Sequence, residues 1–374
     1  MTNIMDILIV SPIPMSPLNH GNRARQVALI TALKKLGHRV TYVYGAREAI
    51  TVEDEEAMRD IVDHLYVYEP VEPIWKTLRP PPHHLDDWWL PGLQTLLISI
   101  LATRSYGAAI ASYVWFSKFL DYLPDTIIKC IDTHDIFANR QEDLAKMGIT
   151  SDFFSTTVEE ENKGLARADH VLAIQAEEAD TFKARSVNGV RIVGHIVPDQ
   201  RLAKDQPSDD APVKIGLFAS NNPLNQHAVK QLTKAINTYK GKTQIDWYLV
   251  GTIVNTAAGQ EWPGQKVAWV NGSEDFYTMV DIAINPHEGG TGLKIKSVEA
   301  QSYGLPLIAT KDAMVGLPAT HPLHRLPTAE SVVHAAYDLV KDRGAITDLA
   351  NASLRDFYDY QKAQIANLSE VFPQ

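Results

Sequence analysis

A chain of 374 residues, 45% of them hydrophobic, has apolar surface for two cores and points to two or three domains. The net charge of −10 and pI near 5.7 exclude the basic face that a nucleic-acid partner requires. The single cysteine, Cys130, excludes an internal disulfide and a cysteine-rich zinc site.

The first residues, MTNIMDILIVSPIP, form a strand-like run with neither a basic flank nor a small-residue cleavage site, so no signal peptide is expected. Nowhere do about 18 apolar residues run uninterrupted, so no transmembrane helix is expected and the chain reads as soluble and cytoplasmic. Asp6 to Ile13 is expected as a buried strand, running into the loop SPIPMSPLNHGN, residues 11–22, with three prolines. A helix near Arg23 to Leu36 follows, with Val27, Ile30, Leu33 and Leu36 in a core-facing stripe, and Gly37 suits its C-cap. His38 to Tyr44 is the second strand. In such a parallel unit ligands gather at the strand C-terminal ends, which is where His20-Gly21-Asn22 lies. An ordinary N-cap loop is the alternative reading.

Thr51 to Asp63 is acidic and helical in pattern, a solvated face. In RPPPHHLDDWWLPGL, Arg79 to Leu93, the three consecutive prolines Pro80 to Pro82 forbid regular structure. His83, His84, Trp88 and Trp89 either pin that loop on the core or meet a sugar or a membrane surface. Leu93, Leu96, Leu97, Ile100 and Leu101 follow at helical spacing. Ala108 to Trp115 and Ile127 to Ile131 are expected strands, the second running into Asp132-Thr133-His134-Asp135. Carboxylates and an imidazole at a strand end fit chemistry, a metal site or a structural loop. Glu159 to Asp169 is expected as a helix and Arg191 to Val197 as a strand.

Residues 198–212, PDQRLAKDQPSDDAP, are polar, proline-bearing and without apolar periodicity, so they are the expected linker. A fresh α/β series starts at Lys214 to Phe218 and continues through Asp246 to Val250, Val267 to Val270 and Ile282 to Ile284. Strands alternating with helices in both halves predict an α/β protein of two Rossmann-like, doubly wound domains facing a central cleft. The expected domains are residues 1–197 and 213–350, with a C-terminal helix, 351–374, that crosses back to the first domain.

The most informative stretch is INPHEGGTGLKIKSVEAQSYGLPLIAT, Ile284 to Thr310. It reads as strand, glycine turn, helix and strand. A turn at Gly289, Gly290, Thr291 and Gly292 leaves backbone N–H groups free at a helix start, where they and the helix dipole stabilise an anion. Lys294 and Lys296 add positive charge, and Glu299 is an acceptor suited to hydroxyls. The alternative is a tight structural turn with two solvated lysines.

This stretch resembles the nucleotide-sugar motif of GT-B glycosyltransferases, particularly the retaining enzymes of family 4. The matching positions are Gly290-Thr291-Gly292-Leu293-Lys294, Glu299-Ala300 and Gly304-Leu305-Pro306. The resemblance extends to His20-Gly21-Asn22 with Arg25, where the family has G-G-x-x-R, and to the D-x-H-D segment at Asp132 to Asp135. ADHVLAIQAEEADTF, Ala168 to Phe182, resembles a further family segment, with Gln175 where serine is common.

The resemblance implies a metal-independent enzyme, free of cofactors, that transfers a sugar from a UDP, GDP or dTDP donor to a glycan, lipid-linked or small-molecule acceptor with retention of configuration. A role in polysaccharide biosynthesis, with peripheral contact at the inner face of the cytoplasmic membrane, is the family-level expectation. Gly21, Asn22, Gly290, Thr291, Gly292, Leu293, Lys294 and Glu299 would hold the donor, and Val270 and Asn271 would meet the nucleobase. His134 would face the donor sugar, and Asp135 would orient the acceptor or His134. Two departures stand out. Ser220, Asn221 and Asn222 occupy the loop where many relatives carry a basic residue, and Thr291 replaces a glutamate, with Glu288 three residues earlier. A nucleotide-sugar epimerase and a catalytically silent nucleotide-sugar-binding subunit are the alternatives.

Overall fold

The computed structural model describes residues 4–18, 20–70, 80–146, 148, 150, 153–203, 211–241, 245–289 and 292–373. The chain divides into two compact units, Met1–Ile196 with Gln364–Gln374, and Val197–Ala363.

In the first unit seven described strands form one sheet: β1 (Asp6–Ser11), β2 (Arg39–Gly45), β3 (His64–Tyr68), β4 (Ala108–Ser112), β5 (Ile128–Asp132), β6 (His170–Ala173) and β7 (Val190–Ile192). They pair in parallel in the order β3-β2-β1-β4-β5-β6-β7. The continuous apolar runs follow from burial on both faces. Leu8, Val10 and Val43 enter one core, whereas their neighbours Ile7, Ile9 and Tyr42 enter the other. Side chains alternate across a strand, so a sheet covered on both sides needs apolar residues at every position. The helix Gly21–Lys35 connects β1 to β2.

The second unit repeats the scheme with β8 (Val213–Phe218), β9 (Ile245–Val250), β10 (Gln265–Val267), β11 (Ile282–Asn285) and β12 (Leu307–Ala309), parallel in the order β10-β9-β8-β11-β12. In each sheet the winding reverses once, between β1 and β4 and between β8 and β11. Loops leaving the strand C-terminal ends diverge at such a reversal and open a crevice for a ligand. The last helix, Arg343–Val371, runs from one unit into the other. In the first unit Leu368, Val371 and Phe372 join the core, and the Gln364 Oε1 accepts from the Gly194 N–H at 2.7 Å.

Four expected strands end early, the first of them, Asp6 to Ile13, at Ser11. The run Ala108 to Trp115 stops as a strand at Ser112, because Tyr113 takes φ +72° and Val114–Tyr122 winds into a buried 3-10 helix. Fully buried runs of either kind look alike in a sequence. In the Arg191 to Val197 run only Val190–Ile192 is a strand, since the carbonyls of Val193 and Gly194 accept from Arg25. Past Val267 the chain leaves the sheet, and the Asn271 N–H donates to the Asp275 carboxylate at 2.9 Å, turning the backbone into the helix Ser273–Met279. The proline and tryptophan loop is pinned on the core. His83, Trp88 and Trp89 are buried, and His83 stacks on Phe154 at 5.3 Å.

Candidate active site

At the switch point of the first sheet, the loop after β1 leads into a helix that begins at Gly21 with no side-chain cap. Asn22 ties this helix start to the loop after β4, its Nδ2 donating to the Tyr113 hydroxyl at 3.2 Å. Next along the edge, β5 ends at Asp132, which is fully buried. Arg25, also buried, donates to one Asp132 oxygen through Nη2 at 2.6 Å and Nε at 3.1 Å, and its remaining donors meet the Val193 and Gly194 carbonyls. Burial alone would raise the Asp132 carboxyl. Arg25 and His134 overcome that and hold it at about 2, so it stays ionised.

The second Asp132 oxygen lies 3.2 Å from Nε2 of His134. Gln26 Nε2 approaches the same ring nitrogen at 2.7 Å and donates to the Ser112 hydroxyl at 2.8 Å. His134 has φ +60°, a left-handed backbone that costs a residue with a Cβ about 1 kcal/mol or more. Tyr113 covers the ring face, with centroids 4.1 Å apart and an interplanar angle of 10°. Thr133 anchors the turn by donating to Glu178 Oε2 at 2.8 Å. That oxygen also accepts from the Ile174 N–H, and burial pushes the Glu178 carboxyl up to about 8. Asp135 does not touch His134. Its carboxylate is engaged by Arg140 and by the Ile136 N–H, so Asp132 orients the imidazole.

At the switch point of the second sheet, β11 runs into Pro286 and His287. Gly289 and Gly292 have φ +69° and +78°, the region in which glycine alone is unstrained. Gly290 and Thr291 lie outside the described residues. The helix Ile295–Ser302 then starts at an N-cap, Lys294, that provides no side-chain cap. Leu293 is buried and anchors the turn, and Lys294 Nζ bends back to the Gly292 carbonyl at 2.9 Å. Lys296 is half-buried rather than solvated, and burial brings its pKa down to about 8.

His287 faces Lys294, Lys296 and His227. Burial, with the Lys294 and Lys296 cations, holds it neutral, with a pKa of about 3. Lys294 and Lys296 therefore lie at an uncapped helix start, which is a setting for a multiply charged anion. Glu299, one turn into the helix, is half-buried, and burial raises its carboxyl to about 7.

The loop after β8 ties itself down. Asn222 caps the helix Pro223–Thr238, and Asn225 donates to the Ser220 carbonyl at 2.7 Å. Glu288 caps another helix, Ala329–Leu339, by accepting from the Ala329 N–H at 2.7 Å. Val270 packs partly on the core and Asn271 is exposed just before the Ser273–Met279 helix. Among the described residues no group of three or more histidine, cysteine or acidic side chains is arranged to hold a metal ion, and no helix is long and apolar enough to cross a membrane.

Gly21, Asn22, His134 and Asp135 thus share the switch-point edge of the first sheet, and Gly292, Leu293, Lys294 and Glu299 that of the second. Tyr113, Gln26 and His287 escaped the sequence reading. Tyr113 hides in an apolar run, and Gln26 and His287 have no spacing signal.

Sequence comparison finds no matching family model and no matching curated protein. Structure comparison does find matches. Sucrose-phosphate synthase from Thermosynechococcus elongatus superposes with a TM-score of 0.63 at 13% identity, covering 98% of each chain. The lipopolysaccharide outer core galactosyltransferase WaaB gives 0.64 at 13% identity, over 98% of this chain and 99% of that one. The fold is GT-B. Another GT-B neighbour, HepE of Anabaena in complex with UDP and glucose, gives 0.63 at 12% identity, over 98% of this chain and all of its own.

Proposed function

We propose that this chain is a glycosyltransferase that moves a sugar from a nucleoside-diphosphate donor to an acceptor hydroxyl with retention of configuration. The observation that carries the proposal is the β11 turn, where Gly292 at φ +78° leads into an uncapped helix bearing Lys294, with His287 and Lys296 beside it. Breaking the sugar–phosphate bond leaves charge on the diphosphate. Backbone donors and Lys294, already in position, stabilise that charge more in the transition state than in the ground state. Gly290 and Thr291 are proposed as donor-binding residues as well. Glu299 accepts from the ribose, Val270 and Asn271 meet the base, and Gly21 and Asn22 offer a second uncapped helix start to the donor.

In this reading the sugar carbon gains positive character as its bond to the diphosphate lengthens. His134, backed by the ionised Asp132, is the group offered to that charge. The new bond forms from the acceptor oxygen on the face that the leaving group vacates, and the acceptor proton passes to the departing phosphate oxygen, so no separate carboxylate base is needed. Asp135, held by Arg140, is assigned to the acceptor. The fold likeness supports the reading, as does the presence of UDP and glucose in the HepE neighbour.

Product analysis tests it. The pure protein with a radiolabelled nucleotide-sugar donor and a panel of glycan acceptors is expected to release nucleoside diphosphate and label the acceptor with the donor's anomeric configuration. Conversion of the donor sugar without an acceptor would establish an epimerase, and the absence of any turnover a silent binding subunit.

A further inference from the structure

The two lysines at the helix start after β11 are not equivalent. Lys294 Nζ is turned back onto the Gly292 carbonyl at 2.9 Å. Lys296 is half-buried, yet among the described residues its amine meets neither a hydrogen-bond acceptor nor a carboxylate at ion-pair distance. Its backbone is fixed all the same. The Tyr277 hydroxyl donates to the Lys296 carbonyl at 3.3 Å, and Tyr277 is buried and stacked on Tyr303 with centroids 4.5 Å apart.

Two residues of the proposed donor site bear on this amine. Glu299 stands three positions further along the same helix, which puts both side chains on one face. His287, two residues beyond β11, is exposed to the Lys296 charge as well as to that of Lys294. Burial outweighs the attraction of Glu299 and draws the Lys296 amine down to about 8. A cation withdrawn from water without a close counter-ion favours its neutral form until an anion arrives to pair with it. The loop after β8 brings that anion no basic side chain, since Ser220, Asn221 and Asn222 stand there.

We infer that Lys296 is the proton-dependent cation of the donor site, pairing with the diphosphate in its charged form, so that nucleotide binding takes up a proton and weakens at alkaline pH. This rests on the transferase reading above. It adds a second side chain on the diphosphate and a control of donor binding by pH.

The sign follows from the groups that face the amine: Glu299 on its own helix, His287 after β11, and Tyr277 on the helix Ser273–Met279. Between about pH 8 and 9 His287 stays neutral, Tyr277 keeps its proton and Glu299, with its carboxyl at about 7, is largely ionised. The terminal phosphate of a nucleoside diphosphate, ionising near about pH 6, is already charged there. Of these groups Lys296 alone changes charge across the window.

Calorimetric titration of the full chain with UDP, GDP and dTDP at about pH 8 and 9, in two buffers of different ionisation enthalpy, reads affinity and proton uptake together. The matching nucleosides are the probes without phosphate. The nucleotide that binds best is expected to bind about fivefold more weakly at the higher pH and to take up about half a proton or more. Lys296→Met should weaken it at least about tenfold at the lower pH and remove the uptake, with nucleoside affinity unchanged and a thermal melt confirming the fold. Lys296→Arg stays charged at both pH values, so it should keep most of the affinity and lose the alkaline fall. The nucleotide's own titration is common to both proteins, so the difference belongs to the lysine, and this variant decides the matter if the Met variant does not fold. Binding by wild type that is independent of pH, unchanged affinity in Lys296→Met, or an equal alkaline fall in Lys296→Arg overturns the inference. Failure of all three nucleotides to bind would instead count against the transferase reading.

Discussion

Tyr113 lies flat against His134, ring centroid 4.1 Å from ring centroid, and both residues have positive φ, +72° and +60°. The loops after two neighbouring strands thus each hold a residue at positive φ, and the two rings stack. Strain of this kind persists where the surroundings over-determine it, and here the ring is fixed by Asp132 and Gln26 at its edge and by Tyr113 on its face.

Replacing Tyr113 with Leu removes the stack and the Asn22 bond while keeping the site apolar. An aromatic pair contributes about 0.5–1.5 kcal/mol, so turnover should fall about three- to tenfold. Nucleotide affinity should be unchanged. Steady-state kinetics alongside UDP titration make the comparison, and a loss confined to nucleotide binding would contradict the assignment.

Asp132→Asn strands Arg25 in the core without its counter-charge. Removing one partner of a buried ion pair destabilises by about 3–5 kcal/mol, and the side chains here are 1% and 0% exposed. Denaturant unfolding should show this loss, and turnover should fall further than stability accounts for, because His134 loses its orienting carboxylate. A variant as stable as wild type would show that the pair contributes nothing net.

Glu178 makes stability depend on pH. Its carboxyl is raised from the ordinary 4.5 to about 8 by burial, so the folded state holds the proton more tightly than the unfolded chain. Its contribution is complete below about pH 4.5 and is lost as pH rises through about 8. Glu178→Gln keeps an acceptor for Thr133 and Ile174 but cannot ionise. Its unfolding midpoint should therefore fall less than the wild type's between those limits, and an equally steep decline would remove Glu178 from the account.

Much of this architecture was legible in the sequence because it depends on local signals. The apolar runs of β1 and β11, the helix stripe at Ile30 and Leu33, and the glycines before Lys294 each announce themselves within a dozen residues. What escaped depends on contacts made at long range. Arg25 and Asp132 are 107 positions apart, so nothing near either one shows that the arginine is buried against that carboxylate rather than free for a ligand. Asp135 sits beside His134 in sequence, yet the turn sends it to Arg140. Tyr113 lies in an apolar run whose continuation as a 3-10 helix leaves no periodic trace. Glu288, three residues before Thr291, accepts from the first N–H of a helix 41 residues later, a contact with no local signal.

The central claim is that the turn after β11 holds the diphosphate of a nucleotide sugar, and Lys294 is its most exposed point because the β8 loop supplies no basic residue. Calorimetric titration of UDP, GDP and dTDP into wild type and Lys294→Ala, paired with turnover of the matching donor, tests it directly. One nucleotide is expected to bind clearly better than the others, and the variant should bind it more weakly and turn over at least about 100-fold more slowly, the scale on which a preorganised electrostatic partner acts. No binding of any of the three, or a variant with wild-type affinity and turnover, would contradict the account.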